Sequence, residues 1–103
     1  MNEPTSTPPV PVVVVHAEAC HLCDDAVEAL ADLSSTLPLA VRVVELESAE
    51  GASLVALHRP AMNPLVLVDG AYFSAGRLPR KKLAKLLDRR NAAAPQPASS
   101  VGA

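Results

Sequence analysis

The segment Val10–His16, VPVVVVH, constrains the fold more than any other stretch of the chain. Its four consecutive valines favour an extended backbone, because β-branched side chains lose rotamer freedom in a helix and pack well on a pleated surface. No polar residue alternates with them, which suits a strand buried on both faces. Helices are the natural cover, and the next segment is one. From Leu22 to Leu33 the residues Cys23, Ala26, Val27, Leu30 and Leu33 follow i, i+3, i+4, i+7 spacing, with Asp24, Asp25, Glu28 and Asp32 on the opposite face.

The remaining elements follow from local signals. Pro38 ends the connection to a second strand, Leu39 to Leu46. Ser48 is placed to N-cap a short helix reaching about His58, which uses Leu54, Val55 and Leu57 and is weakened by Gly51. Pro64 opens a strand over Leu65–Val68, Asp69-Gly70 is a strong two-residue hairpin signal, and Ala71 to Ser74 returns before Gly76. Tyr72 and Phe73 should point to opposite sheet faces, one into the core and one under the last helix. That helix has Pro79 in its first turn and runs to about Arg90, with Leu83, Leu86 and Leu87 inward. The order β-α-β-α-β-β-α predicts an α/β fold. It has a four-stranded mixed sheet flanked by helices, with a parallel first pair and an antiparallel hairpin at the end. The folded domain is read as 10–91, between Pro-rich tails at 1–9 and 92–103 that are expected to be disordered.

The chain has 103 residues, of which about 80 remain once the tails are set aside, near the lower range for a self-supporting core. A large barrel or a two-domain cofactor scaffold is excluded. Tyr72 and Phe73 are the sole aromatics, which argues against a base-stacking nucleic-acid platform. The apolar run after MNEPTSTPP is too short for a signal core or a membrane span, so no membrane partner is expected and the protein reads as cytoplasmic. A monomer is the expected state. Charge is segregated: eight carboxylates and one base lie between Glu18 and Glu50, against seven bases and one acid between Arg77 and Arg90. This division suits docking of a charged partner, although the basic stretch is most simply the solvated face of the last helix.

Chemistry enters with Cys20-His21-Leu22-Cys23, at the junction of the first strand and the first helix. In a reducing compartment two cysteines are no disulfide framework, and so short a loop would contribute only about 2 kcal/mol as a staple. The position suits thiol reactivity instead. A nucleophilic thiol works as thiolate, and unpaired N–H groups at a helix start stabilise negative charge. A second cysteine one turn on can attack a mixed disulfide formed on the first. Against the helix dipole stand Glu18, Asp24 and Asp25, with no base close in sequence, and these oppose negative charge at Cys20.

On these residues the chain resembles the thioredoxin-like superfamily, and within it the small bacterial glutaredoxin-like proteins with a C-x-L-C motif. The resemblance spans about Val10 to Arg90. It rests on the Cys20–Cys23 motif, the element order, Pro64 before the third strand and the Asp69-Gly70 hairpin. It implies a thiol–disulfide oxidoreductase in which Cys20 and Cys23 are catalytic. It also implies that the Asn63–Pro64 bond is cis and faces the dithiol. His21, Leu22, Asn63, Pro64, Gly76 and Arg77 would then bind substrate, with Asn63 offering its backbone to an extended segment. Glutaredoxins usually carry Pro-Tyr between the cysteines, Thr-Val before the cis-proline and an acidic pair after the Gly-Gly turn. This chain has His21-Leu22, Met62-Asn63 and Gly76-Arg77, so glutathione specificity is not carried over.

The implied partners are a disulfide substrate and an electron donor, either a thiol or a reductase. No bound cofactor is expected, and glutathione or another low-molecular-weight thiol is the candidate reductant. Arg77 and Arg80 are candidates to hold an anionic substrate group. His16 ends a strand and His58 a helix, and neither is read as a ligand. Two rival readings remain. Cys20 and Cys23 from two chains could share zinc or a [2Fe–2S] cluster, or the fold could serve as a non-catalytic interaction module.

Overall fold

The computed structural model describes residues 9–93. Strand β1 (Val10–His16) leads through a four-residue turn into helix α1 (His21–Ser34), followed by β2 (Leu39–Glu45), α2 (Ala49–His58), β3 (Leu65–Val68), β4 (Ala71–Ala75) and α3 (Arg80–Ala93). The sheet order is β2-β1-β3-β4. β1 pairs with β2 in parallel and with β3 antiparallel, and β3 pairs with β4 antiparallel. The fold is α/β with a mixed four-stranded sheet, as the order of apolar segments predicts, and thioredoxin-like, as the resemblance implies. The two apolar runs without polar alternation, β1 and β3, occupy the two central places, where both faces are covered.

Alternation along β1 divides the core into two unequal parts. Val10, Val12 and Val14 join Val66, Val68, Ala26, Ala29 and Leu30 of α1, and Leu83 and Leu87 of α3. Val13 and Val15 face the other way, with Leu65 and Leu67, toward Leu54 and Val55 of α2. Thus α1 and α3 share one face of the sheet and α2 covers the other alone.

Boundaries differ from the sequence reading in physically interpretable ways. α1 begins at His21, because Cys20 is the residue that caps it. β2 ends at Glu45, and β4 continues to Ala75 opposite Leu65. Pro79 lies just before α3 rather than inside its first turn, and its carbonyl accepts the Leu83 N–H at 2.9 Å. α3 runs on to Ala93, through alanines of high helix propensity, past the expected domain end at 91. Otherwise the expected tails at 1–9 and 92–103 lie outside the described residues. Tyr72 and Phe73 also depart from expectation. The β3–β4 register skips Phe73 at a bulge, so Phe73 packs on the α1/α3 core. Tyr72 fills no core: it is 52% exposed, with its ring 6.4 Å from that of His58.

Candidate functional site

The turn from β1 into α1 is set by Ala19, whose φ of 52° lies in the left-handed region. Such a conformation costs an L-residue about 1–2 kcal/mol, so the turn immediately before Cys20 is held by its surroundings. Cys20 then has extended backbone angles as the N-cap of α1, and its Sγ accepts the Cys23 N–H at 3.2 Å. The thiol therefore takes the role that Ser or Asp commonly plays at a helix start, with a free N–H already directed at its sulfur.

The two thiols differ sharply in surroundings. Cys20 is half-buried, whereas Cys23 has no exposed surface. The Ala17 N–H donates to Cys23 Sγ at 3.4 Å. Burial pushes the Cys23 thiol up to about 11, with the contact to Cys20 acting in the same direction and the Ala17 N–H opposing it. Both cysteines are free.

The residues expected to bind substrate gather at the same end of the sheet. Leu65 lies opposite Val15 on one side and Ala75 on the other, so the residues just beyond each, Pro64, His16 and Gly76, share one rim. The Asn63–Pro64 bond is cis. Pro64 is fully buried, and its carbonyl accepts the Gly76 N–H at 3.0 Å. Gly76 has φ of 92°, which favours glycine, and a Cβ there would stand 3.3 Å from the Met62 sulfur. Asn63 and Leu22 are half-buried, whereas His21 and Arg77 are exposed.

Two features of the site escape sequence reading. His16 is more than a strand end. Its Nε2 lies 3.2 Å from Asp24 Oδ1 in α1, and its Nδ1 lies 3.5 Å from Glu45 Oε1 in β2, an ion-pair distance rather than a hydrogen bond. The Asp24 contact is the main cause raising His16 above its ordinary value; burial opposes it and Glu45 adds to it. Arg80 also does not present a free charge for an anionic substrate, because it donates to Asp25 at 2.8 Å. Of the three carboxylates expected to oppose negative charge at Cys20, Asp24 and Asp25 are thus each paired with a cationic or ionisable partner. Fifty-five positions separate Asp25 from Arg80, and no local pattern announces that contact.

What these elements define is an α/β domain of thioredoxin-like fold with a cysteine pair at the start of its first helix. No family model matches the chain, and no curated protein is significantly similar to it. Among 66 solved chains that match in structure is a point-mutant thioredoxin from Halobacterium salinarum NRC-1. It superposes with a TM-score of 0.58 at 17% identity, over 80% of this chain and 74% of that one. At that identity the likeness shows the fold. No helix among the described residues is long and apolar enough to cross a membrane.

Proposed function

We propose that this chain is a glutaredoxin-like thiol–disulfide oxidoreductase acting on a protein or low-molecular-weight disulfide. The observation that carries the reading is the asymmetry of the two thiols. Cys20 is accessible at the helix start, with the Cys23 N–H on its sulfur, while Cys23 lies wholly buried behind it with its proton held tightly.

In the forward direction the Cys20 thiolate attacks one sulfur of the substrate disulfide. A mixed disulfide forms on Cys20 and the other half of the substrate leaves as a thiolate, which takes a proton. Cys23 then gives up its proton and attacks the Cys20 sulfur. The second half leaves as a thiol, and the Cys20–Cys23 disulfide remains. Two electrons have passed to the substrate. A thiol donor, either glutathione or another low-molecular-weight thiol, or a reductase, returns the pair to the dithiol. Asn63 offers backbone to an extended substrate segment, backed by the buried Pro64. His21, Leu22, Gly76 and Arg77 complete the proposed contact surface for substrate. A cytoplasmic monomer needing no bound cofactor fits this chemistry.

A shared zinc or [2Fe–2S] site gains no support from the arrangement. It would need both thiolates presented to a second chain, and Cys23 has no surface to present.

The test is trapping. Cys23→Ser should accumulate mixed disulfides through Cys20, and Cys20→Ser almost none, as read by non-reducing mass spectrometry. Equal trapping by both variants would sink the division of labour, and no trapping by either would favour a non-catalytic module. Parallel turnover with glutathione and with a thioredoxin reductase identifies the donor class.

A further inference from the structure

Positive charge is concentrated on α3 and the turn before it, and its compensation is uneven. Arg80 pairs with Asp25, and Arg90 with Asp69 at 2.7 Å. Lys82 lies 5.7 Å from the centre of the Phe73 ring and covers it. Lys81, Lys85 and Arg89 are exposed and make no ion pair among the described residues. They recur every fourth residue, so they form one stripe, about 12 Å long at the helical rise, on the side of α3 opposite Leu83 and Leu87; exposed Asp88 shares that face and leaves it net positive.

The stripe starts at the end of α3 that follows the site rim in the chain. The Arg80–Asp25 contact ties the first turn of α3 to the turn of α1 that carries Cys23, and the Gly76–Pro64 hydrogen bond ties the preceding turn to the site rim. Of the acids nearest the cysteines, Asp24 is matched by His16 and Asp25 by Arg80, which leaves exposed Glu18 on the β1–α1 turn. A molecule reaching Cys20 across α3 therefore meets net positive charge, and exposed Arg77 adds to it. Approach across α1 meets exposed Glu28 and Asp32.

We infer that the stripe formed by Lys81, Lys85 and Arg89 docks an acidic protein segment, so that the substrates of Cys20 are disulfides flanked by carboxylate-rich chain. The inference rests on the oxidoreductase reading above. The observations favour protein over the other polyanions. The exposed large apolar side chains are Val41, Val43, Leu57, Met62 and Tyr72, none of them on α3, so the stripe has no apolar group to insert into lipid. The two aromatics of the chain lie in β4, so no stacking platform accompanies the cations. Pairing with the acidic α1 of a second copy is the competing protein occupant, and self-association in the test below would reveal it.

The experiment uses the reduced full chain and three fluorogenic peptide disulfides with identical residues around the cysteine, followed by a Glu, a Lys or a Gly-Ser tail. The Glu-tailed peptide should react about 10-fold or more faster than the Gly-Ser peptide at low salt, and the ratio should fall toward one at high salt. Replacing the stripe by Lys81→Gln, Lys85→Gln and Arg89→Gln should bring the low-salt ratio near one. The corresponding Glu variant should favour the Lys tail. Both should leave the Gly-Ser rate within about twofold, since none of the three residues belongs to the site. A ratio near one in the parent, or one unchanged by either variant, overturns the inference. So does tighter binding to anionic vesicles or duplex DNA than to a disulfide-free Glu peptide, or self-association at the same salt. If no peptide is reduced, the oxidoreductase reading fails instead. Anisotropy with the Glu peptide, on parent and Gln variant, then decides the docking surface alone.

Discussion

At the scale of single residues, the site works through contrast between neighbours. Cys23, raised to about 11, should resist alkylation while the fold is intact. Treating reduced protein with iodoacetamide at pH 8 and mapping the adducts should show label on Cys20, with Cys23 modified only above about pH 10 or after unfolding. Comparable labelling of both under native conditions would contradict the burial assigned to Cys23. His16 makes a second prediction, and its sign follows from the direction of its shift. Its folded-state value is raised by Asp24 and Glu45, so its contribution to stability is fully present below the unfolded value near 6.5 and is lost as pH rises through the raised value. The stability difference between parent and His16→Gln, measured in urea, should therefore be larger at pH 5.5 than at pH 9. The cysteine spacing was legible in the chain, because three residues along a helix is a local distance. The partners of His16 were not, since α1 and β2 bring carboxylates to it only once the sheet has formed.

At the scale of elements, most starts and stops are local and most burial is not. Ser48 caps α2 as its sequence position suggests, accepting the Gly51 N–H at 3.0 Å. Gly51 itself inverts a propensity argument. By helix propensity alone, alanine would be favoured there by up to about 1 kcal/mol. Yet a Cβ at Gly51 would run into the Glu45 carbonyl and lie 2.9 Å from that of Leu46, where α2 meets the end of β2. Gly51→Ala should therefore destabilise the protein, by roughly 1–3 kcal/mol, in place of the gain that propensity suggests. Chemical denaturation measures the sign directly, and a stabilised variant would show that the β2–α2 turn yields easily. β2 shows the same division. Its β-branched residues make it a strand, but they do not reveal that it lies at the sheet edge with Val43 44% exposed.

At the scale of the whole molecule, the two faces of the sheet carry unequal cores, and substitutions should feel the difference. Leu30 is fully buried in the larger core between α1, α3 and the sheet, and Leu30→Ala should cost about 2–5 kcal/mol. Against a domain stability of about 5–15 kcal/mol, that leaves little in reserve. Leu54, on α2, is half-buried against the smaller core, and Leu54→Ala should cost clearly less. Urea midpoints of the two variants provide the comparison, and equal losses would mean that the faces are packed alike. By itself the sequence determined the element order, the mixed four-stranded sheet and the placement of the cysteine pair at a strand-to-helix turn. These depend on β-branching, helical periodicity, proline and glycine, whose effects act over a few residues. Tertiary structure alone decided that Arg80 neutralises Asp25, that His16 bridges α1 and β2, and that Phe73 turns inward at a bulge while Tyr72 stays in solvent. It also decided which cations of α3 remain unmatched. Each of these depends on distances between groups far apart in the chain, and such distances exist only after the helices have packed on the sheet.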